Sequence, residues 1–446
     1  MSTPRLVELR LRDFKSYADA TLPLEPLTVL IGRNGSGKSN ALDALEVLAR
    51  LAQGDEVRDA LDGGRRASTG VRGGTEGCAR DDAACFSIGI TVADASTYDK
   101  GTFWASLDVT IQVSPDVRIV AEEFEAYLPE TRRKAVVLQS LEADSSRSDL
   151  VARIHNDRVG PNPHKVFRST HLLSGQLPLR LDGVTAAERD IIAVAGTTLS
   201  TLASVFHLDP VPTMMRDYVS EQDSTLRRSA QNLSASVARL KHDDRESFQQ
   251  LVSIAKELPE SDVRGLDLVR GGLGDVMLAL KEKRGRSSAK ISSRQMSDGM
   301  LRMLAIATAL LTGGPGLALD KATTGDESQH LCLVLEELEN GLHPSQAARV
   351  LDLVKQASAE RGFQVILTTH SPALLDALNG DDHPGVLLCH RDEHGHSVAT
   401  RLTDLPRYLS LMASSRLGQA ATAGKLLAAA RPAPRPSSID ELLGIA

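Results

Sequence analysis

The first clear pattern in the chain is an alternation. Val7, Leu9 and Leu11 alternate with Glu8, Arg10 and Arg12, the period of two expected of a half-buried strand. A short apolar run at 26–31 (PLTVLI) reads as a buried strand and leads straight into a glycine-rich stretch. Beyond Ser39, ALDALEVLARLA has the propensity and length of a helix. Between 85 and 125 the runs CFSIGITV and FWASLDVTIQV predict short strands of an antiparallel lobe. From about 120 to 260 the pattern reads as mainly helical, with polar breaks at Glu142–Ser148 and Gly160–His164. No heptad repeat is sustained there, which argues against a long coiled-coil arm.

Residues 264–294 read as strand, basic turn, strand, and a new helix is expected near Ser297. LCLVL (331–335) is a further buried strand, and 344–361 an amphipathic helix with Ala347, Val350, Leu351 and Val354 on one face. FQVILTT (363–369) is another strand, and Ser371-Pro372 opens a helix with proline at an early position. Strands alternating with helices predict an α/β core around a largely parallel sheet, built from the two ends of the chain. The expected division is 1–120 for the N-terminal part of the core with its β lobe, 121–263 for a mainly helical insertion and 264–405 for the C-terminal part of the core. Residues 406–446 would form a helical segment and a flexible tail around PAPRP (432–436).

Composition narrows the class. The 446 residues are 41% hydrophobic and 24% charged, the balance of a globular protein with a sizeable core. Aromatic residues are only 3%, so that core is aliphatic. No apolar stretch approaches the roughly 20 residues that span a bilayer. Met-Ser-Thr-Pro-Arg leads into the first strand without an apolar signal segment, so the expected location is cytoplasmic, with no membrane partner. The net charge of −7 gives no global attraction to nucleic acid, and any such contact must use local basic groups. Cys78, Cys85, Cys332 and Cys389 fit no zinc spacing and suggest no disulfide framework, and Cys332 reads as a core residue.

The chemistry starts at Gly32-Arg33-Asn34-Gly35-Ser36-Gly37-Lys38-Ser39, which fits G-x-x-x-x-G-K-S between a buried strand and a helix. Its glycines let the backbone curl so that N–H groups point at phosphate oxygens, and the following helix adds its positive end. Lys38 would reach the β- and γ-phosphates and Ser39 would ligate Mg²⁺, so ATP and Mg²⁺ are the expected ligands. Glu336 and Glu337 close the strand LCLVL. The first carboxylate there would help hold Mg²⁺ and the second would polarise the attacking water.

These motifs, in this order, resemble the ABC-type ATPases of the RecF, SMC and OLD group, especially the compact bacterial ATPases of phage-defence operons. FKSY (14–17) is similar to the group's Phe-Lys-Ser-Phe, and GRNGSGKSN (32–40) to its phosphate loop, Asn40 included. QMSDGMLRMLAIATALL (295–311) resembles its signature helix, LVLEELENGLHP (333–344) its Walker B and D-loop, and ILTTHSP (366–372) its switch-histidine segment. HLDPVPTMMRDY (207–218) and NLSASVARL (232–240) also resemble the compact subfamily. Leu338 departs from the group, which usually has proline there, and Glu336 stands for the usual aspartate.

The resemblance implies a P-loop ABC-ATPase head with an antiparallel β lobe and a helical insertion. It implies a homodimer or higher oligomer closed around two ATP molecules. Ser297 and Gly299 of one copy would then meet the γ-phosphate held by the other. Glu337 would activate water, His370 would contact the γ-phosphate, and Asn340 would lie near the interface. The function implied is an ATPase that senses or regulates a DNA-directed activity, in anti-phage defence, with a separate nuclease as effector partner. A RecF-like repair ATPase and a scaffold that binds ATP without turning it over are the rivals. A soluble transporter ATPase fits the Ser-Asp-Gly signature less well.

Other clusters are weighed beside these. Arg132-Arg133-Lys134, Arg227-Arg228 and 281–286 (KEKRGR) read either as DNA-phosphate contacts or as solvated faces, the bland reading favoured for the first two. Gln112 and Arg72-Gly73-Gly74 are weak candidates for a lid segment. His155-Asn156 and His164 are too compressed for a His-Asn-His nuclease. Cys389, His390, His394 and His396 surround Gly395 and read as a hairpin rather than a metal site. The stretch after His370 is too short for the Toprim nuclease that OLD-type proteins carry in the same chain.

Overall fold

The computed structural model describes residues 4–64, 70–81, 83–94, 103–129, 132–141, 149–158, 160–257, 263–284, 287–319, 331–340 and 344–430. The polar break at 142–148, the tail around PAPRP, and Gly285 and Arg286 of the basic run lie outside them.

The alternation at the N-terminus is strand β1 (Pro4–Phe14), which turns back as β2 (Tyr17–Pro23). Leu9 and Leu11 are buried as the pattern requires. Six further strands extend the sheet: β4 (Cys85–Asp94), β5 (Trp104–Gln112), β6 (Arg118–Leu128), β7 (Arg133–Ser140), β8 (Asp149–Ile154) and β9 (His164–Arg168). Every pairing is antiparallel, in the order β2-β1-β4-β5-β6-β7-β8-β9. Residues 121–168, expected in a helical insertion, are therefore mostly strand. The reason is legible in β6. Its AEEFEAYL stretch is made of helix-favouring residues, yet Phe124, Ala126 and Leu128 alternate with Glu123, Glu125 and Tyr127. Burial on one face of a sheet outweighs propensity here.

The second sheet has the order β10-β15-β16-β3-β17-β18. Its strands are β3 (Leu27–Ile31), β10 (Val205–Leu208), β15 (Cys332–Leu335), β16 (Gln364–Thr369), β17 (Val386–Arg391) and β18 (Ser397–Arg401). All neighbours are parallel except the β17–β18 hairpin, where Gly395 adopts the left-handed turn (φ 82°). Strand β10 comes from the middle of the chain, so the expected boundaries at 121 and 263 cut through both sheets. Helix α1 (Lys38–Ala52) packs between the sheets, with α2 (Val57–Asp62) and α3 (Ala186–Ala203) beside it, over an aliphatic core that includes Leu42, Leu45 and Leu48.

The far face of the parallel sheet carries α4 (Leu233–Asp243), α5 (Arg245–Lys256), α6 (Asp298–Thr312), α7 (Pro344–Arg361) and α8 (Pro372–Asp376) over a second core. Val350, Leu351 and Val354 of α7 are buried there. A small third sheet is formed by β11 (Val219–Ser220), β12 (Val263–Arg270), β13 (Asp275–Arg284) and β14 (Ser287–Ser292). The basic run begins inside β13 rather than in a turn. Three short helices, α9 (Tyr408–Ser414), α10 (Leu417–Thr422) and α11 (Lys425–Ala430), end the described chain. Among the described residues no helix is long and apolar enough to cross a membrane.

Candidate functional site

Parallel strands bring their C-terminal ends to one edge of the sheet, where loops from neighbouring strands meet. Here β3 ends at Ile31 before Gly32, β15 at Leu335 before Glu336, and β16 at Thr369 before His370. Three segments far apart in sequence are thus neighbours because β15, β16 and β3 pair in that order.

The loop after β3 depends on its glycines. Gly32, Gly35 and Gly37 have φ of 146°, 74° and 106°. A Cβ on Gly32 would lie 2.1 Å from the Cys389 carbonyl oxygen, and one on Gly37 would lie 2.4 Å from Ser397 Oγ. The loop is pressed against the β17–β18 hairpin, and Arg391 Nε donates to Gly35 O at 2.8 Å. Arg33, Asn34 and Gly35 are exposed, while Ser36 and Lys38 are buried. Among the described residues the Ser36 hydroxyl has no hydrogen-bond partner. Lys38 Nζ curls back over the loop and donates to Gly32 O (2.9 Å) and Arg33 O (3.1 Å). Burial pushes its pKa below the ordinary lysine value, against the pull of nearby thiol and carboxylate groups, among them Glu337 and Glu339.

Ser39 Oγ donates to Glu336 Oε2 at 3.3 Å, which places the two oxygens expected on Mg²⁺ side by side. Glu336 also accepts from Arg72 Nη2, at 2.7 Å on one oxygen and 2.6 Å on the other. Lys15 ties the same corner together. Its ammonium donates to Asp43 (2.6 Å) and to the Arg72 carbonyl (2.6 Å). Asn40 donates to Ser16 Oγ at 2.6 Å, and Tyr17 OH donates to Gly37 O at 3.2 Å. FKSY is therefore a bracket around the loop and its helix. Of the two lid candidates, Arg72 belongs to this site, whereas Gln112 ends β5 and bonds to Asp116 O.

Glu337 has positive φ (45°), fixed by a bond from its N–H to Thr368 Oγ1 (2.8 Å). Its carboxylate accepts from Asn340 Nδ2. Leu338, which replaces the expected proline, is buried. Glu339, not singled out from sequence, accepts from the His370 N–H with one oxygen, and its other oxygen is buried without a partner among the described residues. Partial burial, then Lys38, lowers the His370 pKa against the opposing effect of Glu339 and Glu337, so the ring is neutral at neutral pH. Lys38, Glu337, Glu339 and His370 thus form one electrostatic group.

A buried polar stripe continues down α1 behind this group. Glu46, four per cent exposed, accepts from Arg50 Nε (2.6 Å) and from both terminal nitrogens of Arg228, Nη2 at 2.7 Å. His207 Nε2 of β10 lies 3.4 Å away. Burial brings His207 to about 4, so it is neutral at neutral pH. Burial also works against ionisation of Glu46, and the charges facing it, His207 first and then Arg228 and Arg50, more than offset that; with His207 neutral, Arg228 and Arg50 keep the carboxyl below the ordinary carboxylate range. Arg228, read from sequence as a solvated cation, is instead paired with a buried carboxylate, although its own side chain stays 40% exposed. The proximity that decides this was invisible at a separation of 182 residues.

Ser297 caps α6, its Oγ accepting from Met300 N at 3.2 Å. Ser297 and Asp298 are exposed, and Gly299 is buried. Of the remaining clusters, Lys134 stacks over Trp104 (3.5 Å) and Lys281 pairs with Asp267 (3.5 Å). His155 pairs with Asp157, and His164 stands in β9 opposite Arg153.

A family model described as "AAA domain, putative AbiEii toxin, Type IV TA system" matches residues 140–376, and one described as "AAA ATPase domain" matches residues 5–140. The chain is similar to the DNA replication and repair protein RecF of Nocardioides sp., 45% identical over 56 residues, 12% of this chain and 13% of that protein. It is similar to RecF of Arthrobacter sp., 52% identical over 48 residues, 10% of this chain and 12% of that protein. The match thus spans about an eighth of these relatives' length. Among solved structures it is similar to an SMC head bound to the C-terminal winged-helix domain of ScpA (TM-score 0.46, 13% identity, 89% of this chain and 97% of that one). It is also similar to the SMC head of Thermotoga maritima (TM-score 0.39, 14% identity, 89% and 98%).

Proposed function

The chain belongs to the AAA ATPase family matched over residues 140–376, and on that premise we propose that it binds ATP at Gly32–Ser39 and hydrolyses it between two copies of itself. The observation that carries this is the convergence of Lys38, Ser39, Glu336, Glu337 and His370 on one edge of the parallel sheet. Support for a triphosphate there comes from a loop whose glycines let it curl tightly against the β17–β18 hairpin and from a buried Ser36 hydroxyl that has no partner among the described residues. Ser39 and Glu336 offer the hard oxygen ligands that Mg²⁺ prefers. When bound, Mg²⁺ would offset the charge on the phosphate oxygens. Lys38 would exchange the Gly32 and Arg33 carbonyls for phosphate. Glu337 would orient the attacking water, with Asn340 holding its carboxylate, and neutral His370 would donate to the γ-phosphate. Ser297 and Gly299 of the second copy would complete the site at the start of α6.

The wider reading is an oligomeric, cytoplasmic sensor or regulator of a DNA-directed activity in anti-phage defence, controlling a separate nuclease. The AbiEii description of its family supports it. A RecF-like role in DNA repair is the second reading, favoured by the short, strongly similar RecF segments. The test compares wild type with Lys38→Ala for ATP turnover, and wild type for co-purifying proteins and ATP-dependent DNA binding. Turnover lost in the variant, with a nuclease bound to wild type, is the result expected. No turnover in wild type overturns the ATPase reading. ATP-dependent DNA binding without any partner favours repair.

A further inference from the structure

The signature turn carries an apparent contradiction. If Ser297 and Gly299 are to meet a triphosphate, Asp298 between them sets a carboxylate beside a highly negative ligand. Its side chain is 60% exposed at the first position of α6. The structure supplies a counter-charge from an unexpected place. Arg216 lies in the strap that follows β10, residues 209–230, and its Nη2 donates to Asp298 Oδ1 at 2.5 Å. Its Nη1 donates to the carbonyls of Ser293 (3.1 Å), Arg294 (3.0 Å) and Met296 (2.8 Å), the turn immediately before the signature. The contact runs both ways, since Ser293 Oγ donates to Arg216 O (3.0 Å) and Arg294 pairs with Asp217 (3.0 Å).

The strap is anchored at its base as well. Asp209 N donates to Arg228 O and Val211 N to Ser229 O, both at 2.9 Å, and Arg228 grips Glu46 of α1. Met215, beside Arg216, is buried in the core that includes α6.

We propose that Arg216 is a positioning residue that neutralises Asp298 and fixes the signature turn, so that the turn offers a partner's γ-phosphate only hydrogen-bond donors. This rests on the ATPase reading above. An ionised pair at this distance is a charge-assisted hydrogen bond, stronger than a neutral one. Removing only the arginine leaves the carboxylate facing the phosphate, and removing both charges relieves the repulsion. A residue that merely braced the turn would show no such relief.

The experiment measures steady-state ATP turnover for wild type, Arg216→Gln, Arg216→Lys, Asp298→Asn and Arg216→Gln/Asp298→Asn, with melting curves for each. Arg216→Gln lowers kcat about tenfold or more, with KM for ATP within about twofold, because Gly32–Ser39 is untouched. The double variant regains most of that loss, and Arg216→Lys, which keeps the charge but not the forked donors to the turn, falls between Arg216→Gln and wild type. Wild-type kcat in Arg216→Gln, or a double variant no faster than Arg216→Gln alone, overturns the proposal. If Arg216→Gln melts too low to assay, a loss of about tenfold or more in well-folded Arg216→Lys overturns it equally. A wild type without turnover overturns the ATPase reading itself, and this inference with it.

Discussion

Replacing Glu46 with glutamine tests how tightly the phosphate-loop helix is tied to the rest of the molecule. Glu46 is almost fully buried and takes the charge of Arg50 and Arg228, with His207 neutral beside it. Its carboxyl is held at about 2 against an ordinary 4.5. At about 1.4 kcal/mol for each unit of pKa, that preference for the ionised, folded form is worth at most about 3 kcal/mol, because part of the lowering needs His207 charged. A second route gives a similar figure, because removing one partner of a buried ion pair typically costs roughly 3–5 kcal/mol. Glutamine keeps the shape but turns an amide toward a guanidinium, so a loss of about 3 kcal/mol is expected. Chemical denaturation followed by circular dichroism at neutral pH measures it. The folded-state pKa lies below the unfolded one, so the contribution is fully present above about pH 4.5 and is lost as pH falls toward 2. The gap between wild type and Glu46→Gln should therefore narrow below about pH 4.5. A gap under about 1 kcal/mol at neutral pH, or one that does not narrow in acid, refutes the reasoning.

Gly37→Ala should lose ATP binding and cost about 2–4 kcal/mol, because the residue has φ of 106° and its Cβ would meet Ser397 Oγ at 2.4 Å. Nucleotide titration and denaturation together check this, and unchanged binding contradicts it. Glu122 is buried in β6, and its carboxylate accepts from Leu173 N (2.7 Å) and Ser174 N (2.6 Å). Burial raises it to about 7, only partly offset by those bonds. Its folded-state pKa is above the unfolded value, so protonation stabilises the fold as pH falls from about 7 to about 4.5, by up to about 3 kcal/mol. In Glu122→Gln that contribution should vanish, and an unchanged difference in stability between pH 7.5 and pH 5 counts against it.

What the sequence disclosed, it disclosed through short spacing. Gly32–Ser39 links β3 to the first turn of α1 because an apolar run, a glycine-rich loop and a helix-favouring stretch follow one another directly. Glu336 and His370 could be set at strand ends because each closes an apolar run. The strand content of 121–168 was missed because the middle of β6 is rich in alanine and glutamate, and only the tertiary sheet turns that stretch into a buried face. Arg72 stood out only as a weak lid candidate and Arg228 only as half of a basic pair, while Arg216 was not singled out; nothing local named their partners. Each finds its carboxylate 82 to 264 residues away, a distance over which no periodicity speaks. Glu339 was hidden differently, as one more acid in an acidic run, and only its bond to the His370 N–H distinguishes it.

If ATP is held between two copies, Glu337→Gln should trap the closed pair. The substitution keeps the shape of the side chain at the end of β15 but removes the carboxylate that would activate water. Sedimentation velocity with Mg²⁺ and ATP should show Glu337→Gln as a stable dimer retaining unhydrolysed ATP. The same protein with Lys38→Ala added should stay in its ATP-free state. A Glu337→Gln protein that binds ATP tightly yet shows no change in association state, or that hydrolyses ATP as fast as wild type, would contradict the account.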